Sequence, residues 1–222
     1  MLTMLYASLE DRFWVCPLPN LRRAEIKAKQ LEAALEVGLP IPSTLITNNP
    51  ESVRVFRDRI SPDELLVKPI QGMPIVDAEH RFPLATVVPR DHLLDSVSLA
   101  PSIYQRLVRK VADVRCVVIG SQVFAAQVRS EHIDWRRADE QWIEFSMPHE
   151  FAGRLVALTE HFGIHFASVD ACITEANELV FLELNPNGQW LWLELEVGFP
   201  LARTLAELLV ESLAPESVSR LA

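Results

Sequence analysis

The chain has 222 residues, 49% of them hydrophobic, and a formal net charge of -9. That length allows one sizeable domain or two small ones, and the apolar content fills a core, so the chain reads as globular throughout. The acidic balance argues against a general nucleic-acid surface, although Arg22-Arg23 and Arg136-Arg137 could hold phosphates. No apolar run approaches the roughly 20 residues of a membrane helix, residues 1–9 lack the pattern of a signal peptide, and a cytoplasmic protein is expected.

An N-terminal tail over residues 1–19 ends in Pro17-Leu18-Pro19. Asn20 is then placed to cap a helix over residues 21–37, with Ala24, Ala28, Leu31 and Leu35 at helical spacing and Gly38 as its stop. A short strand over residues 43–47 follows, and Asn49 with Pro50 opens a second helix that ends near Ile60. Leu65-Leu66-Val67-Lys68 has the pattern of a buried strand that closes on a lysine. Residues 69–101 are proline-rich and irregular, and strands resume over residues 102–108. Residues 113–119 and 122–128 form the clearest hairpin, since Gly120-Ser121 suits a tight turn between apolar runs. A helix over residues 148–162 ends at Gly163, and a last helix over residues 200–213 carries Leu201, Leu205, Leu208 and Leu209 on one face. The order predicts an α+β fold of two lobes meeting in a cleft.

The segment over residues 166–187 carries the chemistry. Residues 167–173 and 179–185 read as strands around a polar turn, and a turn centred between Ala176 and Asn177 puts Asp170 opposite Glu183. Side chains two apart share a face, so Glu183 and Asn185 project together while Leu182 and Leu184 turn into a core. Two carboxylates at cross-strand distance repel unless a positive charge sits between them, and a hard cation such as Mg²⁺ suits Asp170, Glu183 and Asn185. A solvated acidic hairpin followed by an Asn-Pro-Asn-Gly turn is the alternative. Cys16, Cys116 and Cys172 are isolated and read as reduced, packed thiols. His132 and His165 have no metal-ligand spacing and read as structural, and Trp135, Trp142, Trp190 and Trp192 read as core or rim aromatics.

Leu65-Leu66-Val67-Lys68-Pro69, Ile103-Tyr104-Gln105-Arg106-Leu107-Val108, Asp113-Val114-Arg115 and Phe181-Leu182-Glu183-Leu184-Asn185-Pro186-Asn187-Gly188 resemble the ATP-grasp fold in order and spacing. Asp134-Trp135-Arg136 and the extended Asn-Pro-Asn-Gly-Gln-Trp run over residues 185–190 are similar to the microviridin-type, or graspetide, peptide ligases. The resemblance covers residues 22–209. It implies a first lobe over residues 20–104 and a second over residues 105–222, with ATP in the cleft between them. Asp170, Glu183 and Asn185 match metal positions, and Lys68 matches the lysine that reaches the ATP phosphates, with Lys27 or Lys29 as a second cation. Arg115 matches an arginine set against the transferring phosphate; a surface strand arginine is its alternative. Adenine recognition is expected on Gln105, Arg106, Leu107 and Val108, where Arg106 replaces a common glutamate and leaves backbone recognition. Arg136 is the candidate for holding the acceptor carboxylate or acyl phosphate, because a guanidinium matches carboxylate geometry in a bidentate way. Gln71-Gly72 is the candidate phosphate loop.

The implied activity is ATP- and Mg²⁺-dependent carboxylate ligation through an acyl phosphate, forming ester or amide cross-links in a ribosomally made precursor peptide. An ATP-grasp ligase that adds an amino acid to a carboxylate, and a non-catalytic ATP-binding subunit, are the other classes. Members of this fold usually begin with a separate α/β domain, so a whole domain is expected to be missing here. Its absence would leave apolar surface for a homodimer, with Leu2, Leu5, Tyr6, Phe13 and Trp14 at the contact.

Overall fold

The computed structural model describes residues 11–70, 85–89, 94–129 and 141–212, together with Met4, Tyr6, Ser8 and Leu9. From the N-terminus its elements are α1 (Leu18–Ala24), α2 (Lys27–Glu36), β1 (Thr44–Thr47), α3 (Pro50–Ile60), β2 (Leu65–Pro69), β3 (Thr86–Val88), β4 (Ser102–Arg106), β5 (Lys110–Ile119), β6 (Gln122–Val128), β7 (Ile143–Glu144), α4 (His149–Phe162), β8 (Phe166–Thr174), β9 (Leu179–Asn185), α5 (Leu191–Val197) and α6 (Leu201–Glu211). The strands form two sheets, β1-β4-β2-β3 and β7-β6-β5-β8-β9. Every pairing is antiparallel, so the α+β expectation stands.

Local signals explain most element ends. The Asn49 side chain accepts from Glu51 N at 2.9 Å and Ser52 N at 3.2 Å, which satisfies donors that the first turn of α3 leaves open. Gly163 ends α4 at φ +64, a conformation that favours glycine. The expected helix over residues 21–37 is corrected to two helices. The chain breaks at Glu25-Ile26, with Ile26 extended at φ -79 and ψ 104. Asn20 lies within α1 rather than capping it, and its Nδ2 donates to Gly163 O at 2.9 Å, tying α1 to the end of α4.

Period-two alternation divides each sheet into faces. In the first, Leu65 and Tyr104 pack with Val53, Phe56 and Ile60 of α3. Leu66 and Lys68, opposite Gln105 and Ile103, therefore face the other way. In the second, Val114, Val169 and Phe181 pack under α1, α2 and α4 through Ala24, Leu31, Leu155 and Phe162. The reverse face is apolar at one end, where Val117, Ile119 and Phe166 meet Leu193 of α5 and Leu201 of α6. Its other end carries Asp113, Arg115 and Asp170.

The expected lobe boundary after residue 104 falls within β4, and α1 and α2 contribute to the core of the second sheet. Of the tail residues expected at a dimer contact, Phe13 lies against His165 at 5.0 Å between ring centroids and Trp14 against Tyr6 at 4.9 Å. Both rings have contacts within the chain, with Phe13 still 38% exposed, while Leu2 and Leu5 lie outside the described residues. Trp142 and Trp192 meet edge to face at 5.3 Å and Trp190 packs with Phe166, in the core as read; Trp135 and His132 lie outside the described residues. Among the described residues no helix is long and apolar enough to cross a membrane. Cys16, Cys116 and Cys172 are unpaired.

Candidate functional site

The β8–β9 hairpin pairs Asp170 with Glu183 and Ser168 with Asn185. The turn, however, closes with Ile173 opposite Leu179, and Asn177 takes φ 60. A register shift between Asp170 and Ala171 leaves Leu182 as an extra residue on β9, a bulge that restores the Asp170–Glu183 pairing. The bulge corrects one expectation. Leu184 is buried in the core, whereas Leu182 lines the cleft beside Lys68.

Arg115 stands opposite Asp170 on β5 and is 6% exposed. Its Nη1 donates to Asp170 Oδ1 at 2.7 Å and its Nη2 to Gln189 O at 3.1 Å, so it is a buried partner of the acid pair and not a surface strand arginine. Gly188 crosses directly over this pair: a Cβ there would overlap the Ser168 side chain and crowd Arg115 Nη2, which gives a steric reason for glycine in the Asn-Pro-Asn-Gly turn. Arg115 Nε and Ser168 Oγ are buried without hydrogen-bond partners. Asn185 Oδ1 accepts from Asn187 N at 3.0 Å, and one lone pair of that oxygen remains.

On the other side of the acid pair, Lys27 Nζ lies 3.4 Å from Glu183 Oε2. Lys29 instead pairs with Glu32 at 2.7 Å on the exposed surface of α2, so only Lys27 of the two expected lysines reaches the site. Lys68 comes from the first sheet to the same place. Burial pulls its ammonium below the usual lysine range and Lys27 pushes the same way, while Glu183 and Asp170 oppose the shift.

A cavity of about 430 Å³ opens beside Lys68 between the sheets, large enough for a drug-sized ligand. Leu66, Gln105, Leu107 and Val108 line one side, and Lys110, Cys172 and Leu182 the other. Gln105 is 2% exposed and its Nε2 donates to Thr44 Oγ1 at 2.9 Å. Arg106 lines the rim, but its guanidinium turns out to Asp63 at 3.5 Å. Lys110 Nζ bonds both carboxylate oxygens of the buried Asp113, each at 2.6 Å. Burial pushes the Cys172 thiol up to about 12, which makes it a wall of the cavity and not a nucleophile.

No protein-family model matches the chain, and no curated protein does. Solved structures do. The macrocyclase MdnC of Microcystis aeruginosa, crystallised with precursor peptide MdnA, is 28% identical at a TM-score of 0.79, over 89% of this chain and 63% of that one. A RiPP-associated ATP-grasp ligase of Chryseobacterium gregarium, in complex with ADP and a leader and core peptide, is 26% identical at a TM-score of 0.85, over 94% and 66%. This chain has the ATP-grasp fold. The macrocyclase MdnB of Microcystis aeruginosa agrees, at 26% identity and a TM-score of 0.78 over 94% and 66%. The chain spans slightly under two thirds of the length of these relatives.

The ATP-grasp cleft brings together Lys27, Lys68, Arg115, Asp170 and Glu183, with Gln105, Arg106, Leu107 and Val108 along the adjoining cavity. Arg136 and Gln71-Gly72 lie outside the described residues. Among the described residues no group of three or more His, Cys, Asp or Glu side chains could hold a metal. The donor set fits Mg²⁺ in another way: two carboxylates on one rung, and two rungs along the carboxamide oxygen of Asn185 opposite the unpartnered Ser168 hydroxyl. Sequence reasoning missed Lys110, which sits beyond the register shift between Lys110 and Ala112 that plain strand alternation does not announce, and Gln30 of α2, for which there was no signal.

Proposed function

We propose that the chain is an ATP- and Mg²⁺-dependent ligase that activates side-chain carboxylates of a ribosomally made peptide and closes ester or amide cross-links. The observation that carries this reading is the line of charges Arg115–Asp170–Glu183–Lys27 beside Lys68, at the mouth of a nucleoside-sized cavity. The relatives crystallised with ADP and with precursor peptides support the choice of ligands.

When bound, ATP supplies the phosphoryl group that converts a carboxylate to an acyl phosphate, and Mg²⁺ supplies charge that lets two anions meet. Asp170 and Glu183 would hold the cation, with Asn185 beside them. Leu66, Gln105, Leu107 and Val108, which line the cavity, would wall the base and exclude water from it. Lys68 would place an ammonium where phosphate charge gathers. Arg115 holds Asp170 in place through its 2.7 Å hydrogen bond. Lys27 braces Glu183 from 3.4 Å, and Arg136 is assigned to the peptide carboxylate, which a guanidinium can meet in a bidentate way.

With a cognate precursor, ATP and Mg²⁺, the peptide mass should fall by one water, about 18 Da, per bond closed, because ligation through an acyl phosphate is a net condensation. Mass gain by an amino acid would replace this reading with the amino-acid-adding ligase, and nucleotide binding without turnover with the non-catalytic subunit. We place the protein in the cytoplasm, in keeping with its unpaired cysteines. We also assign it a homodimer, consistent with the exposed Leu195 and Val210; a monomer by light scattering at micromolar concentration would remove that assignment.

A further inference from the structure

β9 is the outer strand of its sheet, so among the described residues its outward main-chain groups have no strand to pair with. One is met by the loop after α2, where Phe181 N donates to Pro40 O at 2.8 Å. The next outward pair is met by a side chain. Gln30, 3% exposed on α2, accepts from Leu184 N at 3.1 Å through Oε1 and donates to Leu184 O at 2.7 Å through Nε2. That two-way exchange is what a residue of a neighbouring antiparallel strand would make. Nε2 also donates to Ala24 O at 2.6 Å, a carbonyl left open where the helix breaks. The orientation of the carboxamide follows from these partners, since reversing it would set its oxygen against two carbonyls.

Leu184 lies between Glu183 and Asn185, on the short run of β9 that joins the Leu182 bulge to the Asn-Pro-Asn-Gly turn. The same helical elbow touches both flanks of that run. Lys27 meets Glu183 at 3.4 Å, and Asn187 Nδ2 lies 3.5 Å from Glu25 Oε1. Between a bulge and a turn the strand has only three paired rungs to β8, so its register there depends on what grips its outer edge.

We infer that Gln30 is a positioning residue for the acidic site: by standing in for a missing strand at Leu184 it holds Glu183 and Asn185 toward Asp170. This rests on the ligase reading for its ligand, since Glu183 and Asn185 would hold the Mg²⁺ that accompanies the nucleotide. It also explains the broken helix, because the Glu25-Ile26 elbow brings Ala24 O and Leu184 to one amide.

The test uses the full chain with Gln30→Met, which keeps length and removes all three hydrogen bonds, and Leu155→Ala as a control truncation of the core on α4. Two readouts are taken: amide hydrogen exchange at Leu184, and the Mg²⁺ concentration that half-saturates ADP binding by calorimetry. Gln30→Met should expose the Leu184 amide to exchange and raise that Mg²⁺ concentration about tenfold or more. Leu155→Ala should lower the melting temperature with neither change. Should Gln30→Met not fold, Gln30→Glu keeps the acceptor for Leu184 N while removing both donors, and the Mg²⁺ shift is expected from it. An unchanged Mg²⁺ requirement in the folded Gln30 variant, or an equal shift in Leu155→Ala, overturns the proposal. Wild-type protein that binds no ADP at any Mg²⁺ concentration would fail the ligase reading and with it the positioning of a cation, whereas Leu184 exchange would still report whether Gln30 grips the edge.

Discussion

Glu183→Gln is expected to fold normally and to lose ATP turnover by about a thousandfold or more, a barrier increase of about 4 kcal/mol. The two effects separate because they draw on different interactions. In the folded protein Glu183 meets Lys27 at 3.4 Å with side chains 37% and 22% exposed, and an ion pair so open to solvent contributes at most about 1 kcal/mol. The amide keeps the shape of the carboxylate and its place opposite Asp170. What disappears is one of two negative charges on that rung, so the gain in nucleotide affinity brought by Mg²⁺ should disappear with it. Thermal melts and calorimetry with and without Mg²⁺ check both halves. A Glu183→Gln protein whose ADP affinity still rises with Mg²⁺ as in the wild type would remove Glu183 from the metal site.

Lys68→Met should lower turnover by about 10²–10³-fold while leaving stability near or slightly above the wild type. Burial disfavours the Lys68 ammonium and Lys27 adds repulsion, so the folded state holds this charge against its solvation, with Glu183 and Asp170 only partly offsetting. Methionine fills similar space without that penalty. Loss of stability as large as the loss of rate would mean that Lys68 serves the fold. Near-normal ATP consumption with a peptide substrate would show that the phosphates lie elsewhere.

The pairing of Asp170 with Glu183 was legible in the residues, but for an incomplete reason. The turn is centred on Ala176, and the Leu182 bulge brings the strands back into the expected register. No local pattern announces that bulge, so simple alternation sent Leu182 into the core and concealed its place on the cavity wall. The elbow at Glu25-Ile26 was equally hidden, since neither glycine nor proline breaks the helical pattern there; a tertiary contact through Gln30 accompanies the break. Helix α5 was missed because Trp190-Leu191-Trp192-Leu193-Glu194-Leu195-Glu196 lacks a side-chain cap and alternates in a manner closer to a strand. Strong local chemistry read correctly: the Asn49 cap, the Gly120-Ser121 turn and the glycine stop of α4. In the structure the alternation of β2 turns Lys68 away from the α3 core, whereas its assignment to the phosphates came from the resemblance and not from the strand pattern.

The most direct test of the ligase reading follows the carboxylate oxygen. In the proposed reaction a carboxylate oxygen attacks the γ-phosphorus as ADP leaves, and a hydroxyl or amine then attacks the acyl carbon as phosphate leaves with that oxygen. A precursor peptide labelled with ¹⁸O in its side-chain carboxylates should therefore transfer one heavy oxygen into the released phosphate for each water lost from the peptide, with ADP as the other product. Unlabelled phosphate, or AMP with pyrophosphate, accompanying bond formation would contradict the account.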